Sequence, residues 1–421
     1  MNGLLKDLTM KKFYYNEEQE SYDAIVVGTG ISGGWAAKEL CEKGLKTLVL
    51  ERGRMVRHIT DYPTAYKDPW DFPNGGEPTQ EDLKKQPKQN RTGYTTNAAS
   101  ALWFVNDLEH PYNEIKRFDW MRGYHVGGRS IMWGRHSYRW SDIDFTANQR
   151  EGIAVDWPVR YKDIAPWYDK VEAYIGVSGE NLGLKQLPDG QFLPMMELNC
   201  VEQHFREKVS ENLNGRVVTA GRVANITGTK NFEGRQHCMF RNRCIRGCPF
   251  GAYFSSNSST LPAAERTGNL TLRPDSIVHE VMYDSNTKRA TGVKVIDMVT
   301  KEAHHLGVGA QGKFEGLEDK YYKGRKPNGV YIPRFRNLGG DSDRKDYKRG
   351  FGYQGGAGRG NWDEAVAELS FGKDLKETIL KPGGWTMGLG GFGEVLPYEE
   401  NRMTLDYDKL DGWGLPTVTF D

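Results

Sequence analysis

Cysteine is scarce in this 421-residue chain: there are five, and three of them fall within Cys238–Cys248. That number and spacing exclude a disulfide framework and point to a reducing compartment. Long apolar runs are missing too. No stretch approaches the length of a membrane span, and residues 1–10, Met-Asn-Gly-Leu-Leu-Lys-Asp-Leu-Thr-Met, lack the apolar stretch of a secretory signal. Charge of one sign is not in excess: 57 basic residues face 56 acidic ones, for a net +1, and no basic run stands out. Nucleic acid is therefore not an expected partner. Apolar residues make up only 38%, whereas glycine is abundant at 50 residues, which implies many turns and close backbone approaches. The length is enough for a large core and for two domains.

The most informative stretch lies near the beginning. Tyr22-Asp-Ala-Ile-Val-Val is an apolar strand, and Gly28-Thr-Gly30-Ile31-Ser32-Gly33-Gly34 is a glycine-rich turn that opens a helix ending before Gly44. A second strand, Lys46–Leu50, then stops on Glu51, 18 positions beyond Gly33. This pattern predicts a parallel α/β unit that holds a dinucleotide. Gly28 makes the tight turn, Gly30 admits the pyrophosphate to the backbone, and Gly33 lets helix and strand pack closely. The helix N-terminus offers N–H groups to phosphate, and Glu51 can accept from a ribose hydroxyl.

Further along, residues 61–95 read as an extended polar loop, and apolar structure resumes at Ser100–Leu108. The segment Arg122-Gly-Tyr-His-Val126-Gly127-Gly128-Arg129-Ser130-Ile-Met132-Trp133-Gly134 pairs glycines with a serine and an aromatic ring, suited to close approach of a flat ligand or to a turn before a core strand. Asp156–Ile175 reads as a helix pair ended by Gly176. Thr271–Arg273, Ser276–Tyr283 and Thr291–Asp297 read as strands, the last two joined by a turn at Asp284. Residues 301–368 promise short strands at best, and Trp385–Asp421 a strand meander.

Cys238, Cys244 and Cys248 form a C-x5-C-x3-C pattern broken by Gly247 and Pro249. Compact loops of this kind bring thiolates to one inorganic centre. Three readings stand: an iron–sulfur cluster, of the three-iron (3Fe-4S) type; a zinc site with His237 as fourth ligand; or unliganded thiols. Cys41 reads as a small core residue.

These motifs together resemble the glucose–methanol–choline (GMC) oxidoreductases, flavoproteins that oxidise alcohols. The resemblance rests on Gly28–Gly33 with Glu51-Arg52-Gly53, on the Arg122–Gly134 segment and on Asp156-Trp157-Pro158. The stretch Cys238–Leu272 is most similar to the flavoprotein subunits of bacterial sugar, sugar-acid and glucoside-3 dehydrogenases, some of which carry an iron–sulfur cluster on this cysteine spacing. The resemblance implies an α/β fold, α+β overall: a Rossmann-like FAD-binding domain (20–142 and 225–302) and a second, mainly β substrate or cap domain (143–224 and 303–421). It implies that Gly28, Gly30, Ile31, Ser32, Gly33, Glu51 and Arg52 hold the adenosine half of FAD. Gly127, Gly128, Ser130, Trp133 and Gly134 would follow the pyrophosphate and isoalloxazine, and Val278 the adenine. Some relatives attach the flavin through a histidine at the position of Met132, so a non-covalent flavin is expected here.

The implied function is FAD-dependent oxidation of a CH–OH group in a sugar, sugar acid or glycoside. Electrons would leave through the cysteine cluster to an external acceptor, cytochrome- or quinone-linked, and a small subunit is an expected partner. The expected location is cytoplasmic, with periplasmic export by a partner subunit left open. Two departures from the family pattern stand out. The strand and Ala/Gly-rich turn that close the FAD domain are not found after Val299, and no C-terminal region with the active-site His–His or His–Asn pair is found before Asp421. His304 and His305 are the candidates for the missing base, against plain exposure in a polar loop. A nicotinamide-dependent dehydrogenase and a truncated, non-catalytic flavin or electron-transfer subunit are the alternatives.

Overall fold

The computed structural model describes residues 22–92, 97–286, 288–297, 305–306, 310–314, 327–338, 348–359 and 384–421. The opening unit forms as its pattern predicts. Strand β1 (Ala24–Val27) leads through the glycine turn into helix α1 (Ile31–Glu42), and β2 (Thr47–Leu50) returns parallel to β1. A third parallel strand, β3 (Leu270–Arg273), pairs with the other edge of β2. All four residues of β2 are buried, as expected of a parallel strand covered on both faces. On β1, Ile25 and Val27 remain 38% and 56% exposed.

α1 packs Ala37 and Cys41 against Val49 of β2 and Ala264 of the helix Thr260–Arg266. The crossing is tight at Gly34, where a Cβ would lie 2.6 Å from Thr260 Oγ1. Gly44, at φ +84°, follows the end of α1 in the left-handed region that stops a helix.

From Ser276 the chain runs up and back as a hairpin, β4 (Ser276–Asp284) and β5 (Arg289–Asp297), as expected. The second region is built on a five-stranded antiparallel sheet. Its order is β6 (Ala310–Phe314), β9 (Trp385–Phe392), β8 (Gly352–Arg359), β7 (Val330–Ile332) and the short segment Thr219–Ala220. One face of this sheet carries Val330, Ile332, Trp385 and Met387 onto Val201 and Val209 of the helix Cys200–Asn212. Among the described residues, no helix is long and apolar enough to cross a membrane.

Four local expectations are corrected. The supposed loop 61–95 contains turns of 3-10 helix at Pro69–Asp71 and Pro73–Gly76 and a short helix Gln80–Lys85. Thr79 starts that helix: its hydroxyl accepts from Asp82 N while the Asp82 carboxylate accepts from Thr79 N at 2.9 Å. Asp156–Ile175 is one helix, Tyr161–Ile175, because Asp163 accepts from Arg160 N and begins the helix after Pro158. Residues 301–368 hold more than short strands, since β8 runs eight residues in the interior of the sheet despite four glycines, its backbone paired on both sides. The expected terminal meander is divided. β9 joins the five-stranded sheet, while β10 (Met403–Leu410) and β11 (Pro416–Phe420) form a separate sheet with Asn113–Glu114.

Trp103 and Trp385 are 1% and 8% exposed and belong to the core. His110 and His125 are buried as well, and His58 and His136 are half-buried. Burial pushes His58, His125 and His136 down to about 4 and His110 to about 3. In the unfolded chain each titrates near ~6.5. Between those values the unfolded state binds protons that the native state refuses, so stability falls as pH drops from roughly 6.5 toward 4. Burial raises Glu51 and Asp107 and acts in the opposite direction, but on two groups against four. Urea unfolding followed at several pH values should show the midpoint falling through this window. A midpoint independent of pH there would contradict the buried, neutral histidines.

Candidate functional site

Three segments far apart in sequence meet at the C-terminal end of β1. The first is the glycine turn. Gly28 has φ +89°, and its N–H donates to Leu50 O at 2.7 Å. A Cβ on Gly33 would stand 1.9 Å from Gly28 O, so helix and turn are in backbone contact. At Gly28 and Gly30 a Cβ would meet nothing within 4 Å, so the outer side of the turn is open. Ile31 and Ser32 lie exposed on the first turn of α1, and no side chain caps the helix. An uncapped first turn presents N–H groups and a partial positive charge to an anion.

Glu51, 6% exposed, fixes the turn from the end of β2. Its Oε2 accepts from Thr29 N at 2.9 Å and from Thr29 Oγ1, and its Oε1 accepts from Gly53 N at 2.9 Å. Burial raises its pKa, against the pull of those bonds.

The second segment is Gly127–Gly134. Gly127 and Gly128 have φ +90° and +48°, and a turn of 3-10 helix follows over Gly128–Ile131. Gly127 N donates to Thr29 Oγ1 at 2.9 Å, and a Cβ on Gly128 would lie 3.5 Å from Gly30 Cα. The third segment is the serine run before helix Thr260–Arg266. Ser256 N donates to Ser130 Oγ at 2.9 Å, and Ser256 Oγ donates to Gly30 O at 3.1 Å. Asn257 Nδ2 donates to Val56 O and Val126 O, while its buried Oδ1 has no partner.

Thr29 and Asn257 were not singled out from sequence, and Ser256 entered only as part of the Cys238–Leu272 resemblance. Thr29 carried a signal of a kind, as the polar residue inside the turn; Asn257 carried none, and the partners of Ser256 and Asn257 lie more than a hundred residues away.

Beyond Ser130 the segment changes surroundings. Met132 is buried in the core at 4% exposure. Trp133 Nε1 donates to Phe254 O at 2.9 Å, and Gly134 is exposed. His136, unremarked in the sequence, joins this segment to the five-stranded sheet. Its Nε2 is 3.1 Å from Asn328 O and its Nδ1 2.7 Å from Gln354 Nε2. The carbonyl can only accept, so Nε2 carries the proton and Nδ1 accepts from the amide.

Of the remaining candidates, Val278 lies half-buried on β4 opposite Val295. Arg52 NH2 donates to Asp411 Oδ2 at 3.0 Å. His304 lies outside the described residues, and His305 is described only by its backbone, paired with Asn90.

Cys238, Cys244 and Cys248 line one cavity of about 30 Å³, together with Asn225, Arg241 and Tyr253. Phe240 and Asn242 at φ +50° and +53°, with Gly247 at +82°, fold the loop back so that all three reach it. Burial raises Cys238 to about 11 and raises Cys244 as well. The donor set suits a soft metal, but the spacing does not. Among the described residues no three His, Cys, Asp or Glu side chains stand close enough to hold an ion. His237 does not line it. The cavity and the glycine cradle share a wall: Tyr253 lines the cavity and donates its hydroxyl to Ile131 O.

Comparison with known proteins agrees with this arrangement. Residues 22–311 match the family model described as GMC oxidoreductase. The chain is 21% identical to fructose dehydrogenase large subunit of Gluconobacter japonicus, over 96% of this chain and 80% of that one. It is 24% identical to 2-methyl-1,2-propanediol dehydrogenase of Mycolicibacterium austroafricanum, over 94% and 76% respectively. It is 25% identical to gluconate 2-dehydrogenase flavoprotein of Pantoea cypripedii, over 66% and 48%. With its dinucleotide unit at residues 24–50 and a match spanning 22–311, the chain belongs to the GMC oxidoreductase family of FAD-dependent enzymes that oxidise alcohols.

Proposed function

We propose that this protein oxidises a CH–OH group of a sugar, sugar acid or glycoside, with FAD held non-covalently in the cradle formed by Gly28–Gly33, Gly127–Ser130 and Ser256. The observation that carries the proposal is the meeting of these three segments around an open, side-chain-free face at the N-terminus of α1. When bound, FAD supplies the hydride-accepting centre.

The chain's own groups then have distinct tasks. The first-turn N–H groups of α1 balance the pyrophosphate charge. Glu51 Oε2 is taken up by Thr29 N and Thr29 Oγ1, but Oε1, which accepts only from Gly53 N, still has acceptor capacity for a ribose hydroxyl. Gly127 and Gly128 let their segment close onto Asn257 and Gly30 beside that face, and Trp133 and Gly134 border the ring end. Met132 offers no ring nitrogen for attachment, which supports a dissociable cofactor. A sugar-type substrate is supported by the names of the fructose and gluconate dehydrogenase relatives.

The same proposal sends the electrons to an external, cytochrome- or quinone-linked acceptor. A small subunit is the expected partner, in keeping with a relative named as a large subunit.

Protein purified without oxygen should show flavin absorbance, which fructose, gluconate or a methyl glycoside should bleach. Colourless protein that takes up no FAD on reconstitution would overturn the flavin assignment, and flavin left unbleached by all three would overturn the substrate class.

Gly33→Ala forces a methyl group onto Gly28 O. The turn must open, and FAD affinity should drop at least about tenfold. Affinity equal to the parent's, measured by titrating FAD into apoprotein, would contradict the cradle.

A further inference from the structure

Arg52 stands in a box whose far side comes from the end of the chain. Its guanidinium lies 4.4 Å from the ring centre of Tyr124 and 5.3 Å from that of Trp413. NH2 donates to Asp411 Oδ2 at 3.0 Å and approaches His110 Nδ1 at 3.4 Å. His110 stacks on Trp413 at 4.6 Å, and burial first, then Arg52 and Arg122, lower it to about 3, so it faces Arg52 as a neutral acceptor.

Asp411 does two jobs at once. Its Oδ1 accepts from Trp413 N at 2.9 Å and Leu415 N at 3.1 Å, shaping the turn between β10 and β11, while its Oδ2 takes Arg52. The Asp411 side chain is only 10% exposed, and Arg52 Nε is buried without a partner. Partners 359 residues apart are thus joined at the corner that carries Glu51 and Gly53.

We propose that Asp411 and Trp413 are positioning residues for the adenosine end of the cofactor site. They hold Arg52, and so keep the Glu51–Gly53 corner in the shape that receives a ribose; this rests on the flavin assignment above. Arg52 lies between the two groups of that corner, Glu51 Oε1 and Gly53 N, so any swing of its backbone breaks their 2.9 Å bond and releases the carboxylate from its place. A charge pair this sheltered is costly to break on one side only.

Asp411→Asn tests this cleanly, because an amide oxygen still caps Trp413 and Leu415 while the negative charge is lost. FAD titrated into apoprotein should bind about tenfold more weakly to this variant. Arg52→Gln should weaken binding comparably, and the double variant should be no weaker than either single one. Trp413→Phe, which keeps a ring over Arg52, should bind within about twofold of the parent and serves if Asp411→Asn fails to fold, beside a weakened Trp413→Leu. Unchanged FAD affinity with a lowered melting temperature in Asp411→Asn would make the turn a mere structural clip and overturn the inference. A parent protein that binds no FAD would instead remove the flavin assignment and this inference with it.

Discussion

The site depends on one buried hydroxyl. Thr29 Oγ1 donates to the Glu51 carboxylate and accepts from Gly127 N, so a single side chain ties the end of β2, the glycine turn and the second glycine segment together. Thr29 is 0% exposed, which makes both bonds costly to lose: neither partner has water to turn to. Around this node the glycines act by what they leave out. Gly33, Gly34 and Gly127 are each pressed against a neighbour, whereas Gly28 and Gly30 face open space. The result is a backbone surface close enough for a phosphate and flat enough for a ring system.

The legible part of the structure was the part with local causes. β1, α1 and β2 follow from strand alternation, a turn and a helix stop within thirty residues, and the hairpin β4–β5 follows from two apolar runs around one turn. Glycine's role at Gly33 could be read from spacing because the contact it permits, to Gly28, is also local. The node itself could not be read. Thr29 meets Gly127 across 98 residues, and Ser256 meets Gly30 across 226. Nothing in the sequence announces which serine of a run will be buried. β8 was underestimated for a related reason: glycine lowers strand propensity, but pairing to β7 and β9 on both sides overrides it. The helix at Gln80–Lys85 was overlooked because its Thr79–Asp82 cap sits in an otherwise loop-like composition.

The thiol cavity shows how far spacing carries an argument about metals. Cys238, Cys244 and Cys248 do reach one cavity, through left-handed residues at Phe240 and Asn242 that the spacing alone does not reveal. They do not form a ligand set there, and burial keeps Cys238 and Cys244 protonated at neutral pH. A thiolate centre would have to lower those pKa values with its own charge. Family membership, by contrast, rests on the glycine cradle and the match over residues 22–311.

The most direct test of this account is FAD binding to Thr29→Val, which keeps the shape of the side chain and removes its hydroxyl. The account predicts a folded apoprotein whose affinity for FAD, by titration, is at least about tenfold below the parent's, in line with a buried donor and acceptor left unpaired at ~1–3 kcal/mol. A variant that binds FAD as tightly as the parent would contradict it.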